Sequence, residues 1–361
     1  MEPNANGSNS KNSPCLNIFN NLNFSESMNK FFFASPLVAG WLFVFIASTS
    51  AQVTVAQAST KFNVSEPKIE LEKQEKKVVV RVDGQLFTEY HFAGFQKPLF
   101  YPLKINDNVG MTRNYPIKKV KGEQPDHPHH KSVWFSHEIN NIMFWTEKGK
   151  VVQTEFTSFD KASGFATKNS WIHKDKTILT DETQISFHAG KGWRAIDFKI
   201  KLIASEGDVL MNDTKEGTFA VRVHPNLRNK PHKPSGIKGG ATMVNSNGDR
   251  GPGIWGKPAK WVDYSGKIDD QVYGVSIFDH PNNLRHPAMW HARDYGLLAA
   301  NPFGEHYFLK KKKGAGEYTI KKGQSLTLRY RLVIHEGNHE QANISELYNS
   351  FADSSDDAKK D

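Results

Sequence analysis

Period-two alternation of apolar and polar residues is the feature that most constrains this chain. Side chains along a strand project to opposite faces in turn, so alternation marks a strand with one buried face. Leu326, Leu328, Tyr330, Leu332 and Ile334 point one way, and Thr327, Arg329, Arg331, Val333 and His335 the other. Ile196, Phe198, Ile200 and Leu202 form a second such face, Tyr273, Val275 and Ile277 a third. Phe219, Val221 and Val223 form a fourth, which places Ala220, Arg222 and His224 opposite. Val151 to Phe159 alternates clearly, and Ser170 to Lys174 weakly. Lys77 to Val82 and Gln85 to Phe92 flank Asp83-Gly84, a hairpin signal because both turn residues tolerate positive φ. Helical periodicity is confined to a short C-terminal segment, Ile344 to Phe351. Pro231 to Gly240 and Gly248 to Pro258 read as the longest loops. With no internal repeat and no linker-like break, the pattern predicts an all-β protein. It is a large antiparallel β-sandwich with strands of about 8–10 residues and a short C-terminal helix.

The first 58 residues are expected to stand apart. Residues 1–29 are polar and rich in Asn and Ser, which predicts disorder. Lys30 then precedes an apolar run, Phe31 to Ala47, and Ala56-Gln57-Ala58 gives a small-x-small cleavage pattern. This reads as a secretory signal with a long n-region, cleaved near Ala58. The rival reading is a retained membrane anchor, but the run is at the short edge for spanning a bilayer. Cleavage leaves a single domain over residues 59–340, then the helix and an acidic tail over 341–361. It removes Cys15, the only cysteine, so the periplasmic or secreted protein would carry no disulfide. A net charge of +9 is spread along the chain, with local runs at Lys118 to Lys121 and Lys310 to Lys313. Nucleic-acid binding would need such charge on one face with stacking aromatics, and export argues against it. No membrane partner is expected after cleavage.

Chemistry concentrates in three stretches. Asp126 to His137 holds four of the fifteen histidines, with Trp134 and Phe135 following at once. Imidazole is both the side chain that titrates nearest neutrality and the commonest metal ligand. If His127 to His129 is extended, those two rings share a side and His130 faces away, with Pro128 favouring an edge or loop. Glu216 to Pro225 follows, with Arg222 and His224 on one strand face and Glu216 as a candidate acid or base. Glu216 could equally pair with Lys215 or Arg222. Asp279 to Gly296 brings Arg285, His286, Trp290 and His291, a composition suited to sugars: aromatics stack on the ring and polar groups bind hydroxyls. Asn301 follows in the next strand. Gly253 to Tyr264 is a weaker signal, with Lys257, Trp255, Trp261, Tyr264 and Asp263. In each stretch the plain alternative is a loop whose polar side chains only satisfy backbone groups. No P-loop, nucleophile elbow, zincin or dinucleotide motif is present.

The chain resembles the PmoA-like family, labelled "methane oxygenase PmoA". The resemblance rests on Tyr101-Pro102, Thr112 to Pro116, Asp126 to Phe135, Gly217 to Pro225, Gly253 to Gly266, and His286 to Gly296 with Asn301-Pro302, spanning roughly residues 85–337. The label does not suit a chain with one apolar segment, because a membrane oxygenase subunit needs several spanning helices. A looser similarity is to aldose 1-epimerases and galactose mutarotase-like supersandwiches. It implies histidines and a carboxylate acting on a sugar within a sheet.

The expectation is therefore an exported protein that binds a carbohydrate or other small polar ligand and acts on it by histidine acid–base chemistry. His127, His129, His130, His224, His291 and Glu216 are the catalytic candidates. Arg113, Trp134, His137, Arg222, Arg285, His286, Trp290 and Asn301 are the substrate-binding candidates, and Asp126 would orient a histidine. No cofactor is expected, though a divalent metal on His127, His129 and His224 is the alternative enzyme reading. The other alternative is a non-catalytic carbohydrate-binding module centred on Trp290 or Trp255.

Overall fold

The computed structural model describes residues 66–354. The segment expected to be a secretory signal, Cys15 and most of the acidic tail lie outside the described residues. Among the described residues no helix is long and apolar enough to cross a membrane.

Two eight-stranded antiparallel sheets face each other. The first runs, edge to edge, Ile69–Lys73, Lys77–Val82, Gln85–His91, Leu99–Leu103, Val133–Ser136, Thr218–Arg222, Leu297–Asn301 and Met289–Trp290. The second runs Thr242–Asn245, Trp261–Ile268, Gln271–Asp279, Ser325–Glu336, Trp193–Ile203, Lys176–Gly190, Gly164–His173 and Lys150–Asp160. A small third sheet is built from Tyr318–Ile320, Val209–Met211, Glu138–Ile139 and Ile142–Met143.

The alternating faces meet where the pattern places them. Leu326, Leu328, Tyr330, Leu332 and Ile334 join Ile196, Phe198 and Ile200 in the core between the sheets. Phe219 of the first sheet stacks on Tyr330 of the second, with centroids 4.9 Å apart. Each such ring or aliphatic chain gains about 1.5–3 kcal/mol on leaving water. The predicted hairpin forms, with Asp83 at φ 50° and Gly84 at φ 77°.

The outer face of the second sheet is closed by the helix Ile344–Ala352. Ile344, Tyr348 and Phe351, spaced to share one helical face, pack on Trp261, Phe278 and Val333. Strand length departs from the expected range at both ends. Lys176–Gly190 has 15 residues, whereas Val133–Ser136 has only 4 and Thr218–Arg222 only 5. These two short strands flank the polar loops of the candidate site. A short helix, Glu305–Leu309, was not signalled by periodicity.

Candidate functional site

Three strands of the first sheet make the floor of the site. Phe219, Val221, Leu298 and Ala300 turn inward to the core. Alternation then sends Trp134, Ala220, Ala299 and Leu297 to the outer face, where they form a separate cluster with Trp145 and Tyr295. The register sets Trp134 beside Ala220 and Ala220 beside Ala299. The His291 amide donates to the Ala299 carbonyl at 2.9 Å, which adds His291 to the same row. Two methyl groups stand at the centre of the row, packed beneath Trp134, Trp145 and Tyr295.

The loop from Gln124 to His130 folds over this floor, and a buried arginine holds it there. Arg113 donates to the Gln124 carbonyl at 3.2 Å, to the His127 and His130 carbonyls at 3.1 and 3.3 Å, and to the Asp126 carboxylate. Asp126 also accepts from Arg222 Nη2 at 3.0 Å and lies 3.2 Å from His127 Nδ1. Burial alone would raise the Asp126 carboxyl. The His127 hydrogen bond and the charges of Arg222 and Arg113 outweigh that and hold it well below the usual carboxylate range.

His127 to His129 is a turn, not the extended segment expected from sequence. His127 has φ 44°, and the His130 amide donates back to the His127 carbonyl at 2.9 Å. The turn gathers all three imidazoles instead of sending His130 away. His127 stacks on His130 at 4.7 Å and on Tyr295 at 5.3 Å, and His130 stacks on Trp134 at 5.3 Å. Tyr295, His127, His130 and Trp134 thus form a continuous column, with His129 edge-on to His130 at 4.5 Å. Arg222 lies over the Tyr295 ring, 4.6 Å from its centroid.

Glu216 pairs with Lys215, and its charge acts on His129, His291 and Tyr295. Burial pushes His129 and His291 down to about 4, helped by Lys97 for the first and by Lys215 and Arg293 for the second. His130 is driven well below its ordinary value by burial and by Arg222. Burial opposes ionisation of Glu216, but the hydrogen bond and charge of Lys215 keep it below the ordinary carboxylate range. At neutral pH the site therefore presents a carboxylate among neutral imidazoles. His130 Nε2, His291 Nδ1, Trp134 Nε1 and Trp145 Nε1 are buried there without a hydrogen-bond partner. Buried polar atoms in native proteins are nearly always paired, so this group is unusual.

The stretches 126–134, 216–222 and 291–295 thus converge, bringing together His127, His129, His130, Trp134, Glu216, Arg222 and His291. The remaining candidates serve the fold. Arg113 spends its guanidinium on the loop it pins. Arg285 donates to the carbonyls of Pro302, Gly316 and Glu317, and His286 sits 2.7 Å from Asp279. Trp290 belongs to the core and donates to the Ala259 carbonyl at 2.9 Å. Asn301 bridges the Thr214 carbonyl and the Phe303 amide. His137 is buried with Nε2 2.8 Å from the Asn212 carbonyl. His224 caps the turn Pro225–Leu227, accepting from the Asn226 amide, and its charged neighbours are Glu123 and Asp269. The set His127, His129 and His224 is therefore not assembled. Among the described residues no three His, Cys, Asp or Glu side chains form a group that could hold a metal ion.

The 253–264 stretch also lies elsewhere. Asp263 is buried between Ser276 and His335 on the second sheet, and Lys257 pairs with Asp249. Trp255 packs on Phe308, and Tyr264 donates from the core to the Arg293 and Leu297 carbonyls. Tyr264 thereby fixes the tight turn that lifts Tyr295 into the site.

Five participants escaped the sequence reading. Tyr295 lay within a stretch singled out for other residues. Lys97 and Lys131 meet at Glu147, 2.8 and 2.6 Å away, and Trp145 packs against Trp134 at 5.1 Å. Lys97, Glu147 and Trp145 carry no local signal, since each is placed by partners far away in the chain.

A family model described as a family of unknown function (DUF6807) matches residues 77–349. That match overturns the resemblance to the PmoA-like family. No curated protein matches the chain. Among solved structures, a putative aldose 1-epimerase from Escherichia coli K12 is similar with a TM-score of 0.34 and 8% identity, covering 75% of this chain and 100% of its own. A galactose mutarotase-like protein from Clostridium acetobutylicum has a TM-score of 0.30 and 9% identity, covering 75% and 99%. A glycoside hydrolase family 97 enzyme from Pseudoalteromonas sp. strain K8 has 0.35 and 11%, covering 75% of this chain and only 34% of the enzyme.

Proposed function

The chain belongs to the DUF6807 family of unknown function, and from that premise we propose that it binds a carbohydrate on the outer face of the first sheet and acts on it by acid–base chemistry. One observation carries the reading. Glu216 acts electrostatically on both His129 and His291, and His291 borders the Ala220–Ala299 floor beside buried ring nitrogens that have no partner. A pyranose has apolar faces and a rim of hydroxyls, so it needs flat rings and many hydrogen-bonding atoms in one place. Tyr295 and His127, at the exposed end of the ring column, supply the first. His130, His291, Trp134 and Trp145 supply the second.

In this reading Glu216 is the base, because it is ionised at neutral pH and has two imidazoles as electrostatic neighbours. His129 and His291, held neutral, each offer one donor and one acceptor to the substrate. Asp126 and Arg222 position His127 and His130. The apolar run Phe31 to Ala47 and the pattern at Ala56 to Ala58 support export as part of the proposal. N-terminal sequencing of the secreted protein tests that point.

Turnover and binding of a sugar panel by Glu216→Gln, His129→Ala and His291→Ala test the reading. Each variant should lose turnover while its thermal transition stays within a few degrees of the parent. Full activity in all three removes the assignment. A second reading, a carbohydrate-binding surface without catalysis, is favoured by one fact: burial pushes both imidazoles down to about 4, far from neutrality. It predicts calorimetric binding without turnover.

A further inference from the structure

The site is rich in cations, and one of them has no anion. Two guanidiniums, Arg113 and Arg222, share the carboxylate of Asp126. Two ammonium groups, Lys97 and Lys131, share Glu147. Lys215 is matched by Glu216. Arg293 forms no ion pair among the described residues, and its half-buried guanidinium lies 5.5 Å from the Tyr295 ring centroid. This gives six cations (Arg113, Arg222, Lys97, Lys131, Lys215, Arg293) against three carboxylates (Asp126, Glu147, Glu216). Adding the next ring, Arg228 with Glu123 and Asp294, makes seven against five, so the surplus survives a wider boundary. The histidines do not add to it, since the site holds His129, His130 and His291 neutral.

A cationic surplus in a partly desolvated site costs free energy unless a ligand supplies the missing charge. Arg293 is the group placed to meet it. Its strand neighbour across the turn is Leu297, it follows His291 by two residues, and among the described residues its guanidinium makes no hydrogen bond that a ligand would have to break. A guanidinium stacked on an aromatic ring keeps its in-plane donors free, and two of them match the two oxygens of a carboxylate.

Resting on the carbohydrate reading above, we propose that the ligand is an anionic sugar, a uronic acid or a sulfated sugar, and that Arg293 binds its acidic group. Neutral hydroxyls then meet the unpartnered nitrogens of His130, His291, Trp134 and Trp145. The carboxylate of Glu216, already matched by Lys215, stays available for chemistry on the ring.

The test is calorimetric titration of the full chain with matched oligosaccharides. One arm uses uronic-acid oligosaccharides and their carboxyl-reduced neutral counterparts. The other uses sulfated oligosaccharides and their desulfated counterparts. At low salt the acidic member of at least one pair should bind on the order of tenfold more tightly, as a charge-assisted hydrogen bond allows. The preference should shrink as salt rises. Arg293→Gln should bring it close to one, and Arg293→Lys should restore part of it. Circular dichroism melts confirm that both variants fold. Equal affinity for acidic and neutral members overturns the anionic assignment and leaves the carbohydrate reading standing. A preference that survives in Arg293→Gln overturns the role of Arg293. Binding by no member of either pair overturns this proposal and the carbohydrate reading together.

Discussion

Arg222 Nη1 stands 3.1 Å from His130 Nδ1, and both side chains are buried. A guanidinium can only donate, so Nδ1 must be the acceptor and the ring proton sits on Nε2. That Nε2 has no partner, which makes it a hydrogen-bond donor aimed into the site. The same guanidinium also pairs with Asp126, so one arginine fixes a tautomer and anchors the loop.

Arg222→Leu should therefore destabilise the fold. Asp126 keeps Arg113 but loses half of its buried cationic contact, and removing one partner of a buried pair typically costs about 3–5 kcal/mol. Urea denaturation measures that loss. Nitrogen-15 shifts of His130 in the parent should report the Nε2–H tautomer, and the opposite tautomer would refute the arrangement.

Stability should fall on acidification. His137 is buried, and burial lowers it to about 4 against an opposing bond to the Asn212 carbonyl. Its ring stays neutral in the native state but takes a proton near 6.5 when unfolded. The contribution is thus complete above 6.5 and is lost as pH falls toward 4, an interval worth about 3 kcal/mol. His129, His130 and His291 add in the same direction. Asp181 acts with the opposite sign, because burial raises its carboxyl and its contribution is lost as pH rises through the native value. His137→Gln, which retains a donor for the Asn212 carbonyl, isolates one term. Its urea midpoint should vary less than the parent's between pH 7 and 4.5, and parallel curves would contradict the assignment.

The sheets were legible because alternation is a local property. The face of Leu326 to Ile334 can be written down without knowing its partners. The site was legible only in part, for a physical reason. Arg285, His286, Asn301 and His224 have the composition of a binding surface, yet each satisfies backbone or carboxylate groups of the fold. Composition cannot separate a polar group spent on the fold from one left unpaired. Trp290 shows the complementary error: alternation fixes two faces, and in a two-residue strand at a sheet edge the pattern is too short to say which is inward. Ala220 was readable as a small residue on the outer face, but its meaning depends on Ala299, about eighty residues later, standing beside it.

Gly217 offers a sharp steric test. A Cβ there would run into the His137 ring, which Phe303 and the Asn212 carbonyl hold in place. Gly207 faces open space at an ordinary φ. Gly217→Ala should thus destabilise by about 1–3 kcal/mol, the usual cost of overpacking, and shift Glu216 next to it. Gly207→Ala should be close to neutral. Thermal melts of the two variants check the difference, and equal transitions would remove the argument.

Glu147 links the site to the fold through two cations. Lys97 is almost wholly buried, and burial lowers it to about 8 even with Glu147 2.8 Å away. Lys131 shares the same carboxylate. Glu147→Gln removes the opposing charge, so Lys97 should fall further and be neutral in the native state near pH 7. In the unfolded chain it still takes a proton up to about 10.4, so folding must release that proton. The variant should therefore be destabilised by about 3 kcal/mol or more at pH 7, as expected for breaking a buried pair. It should regain stability relative to the parent as pH rises toward 9, because the unfolded lysine then competes less for the proton. Urea midpoints of parent and variant at pH 7 and 9 decide the matter. A gap that stays constant or widens with pH would show that Lys97 is not the buried charge that Glu147 balances.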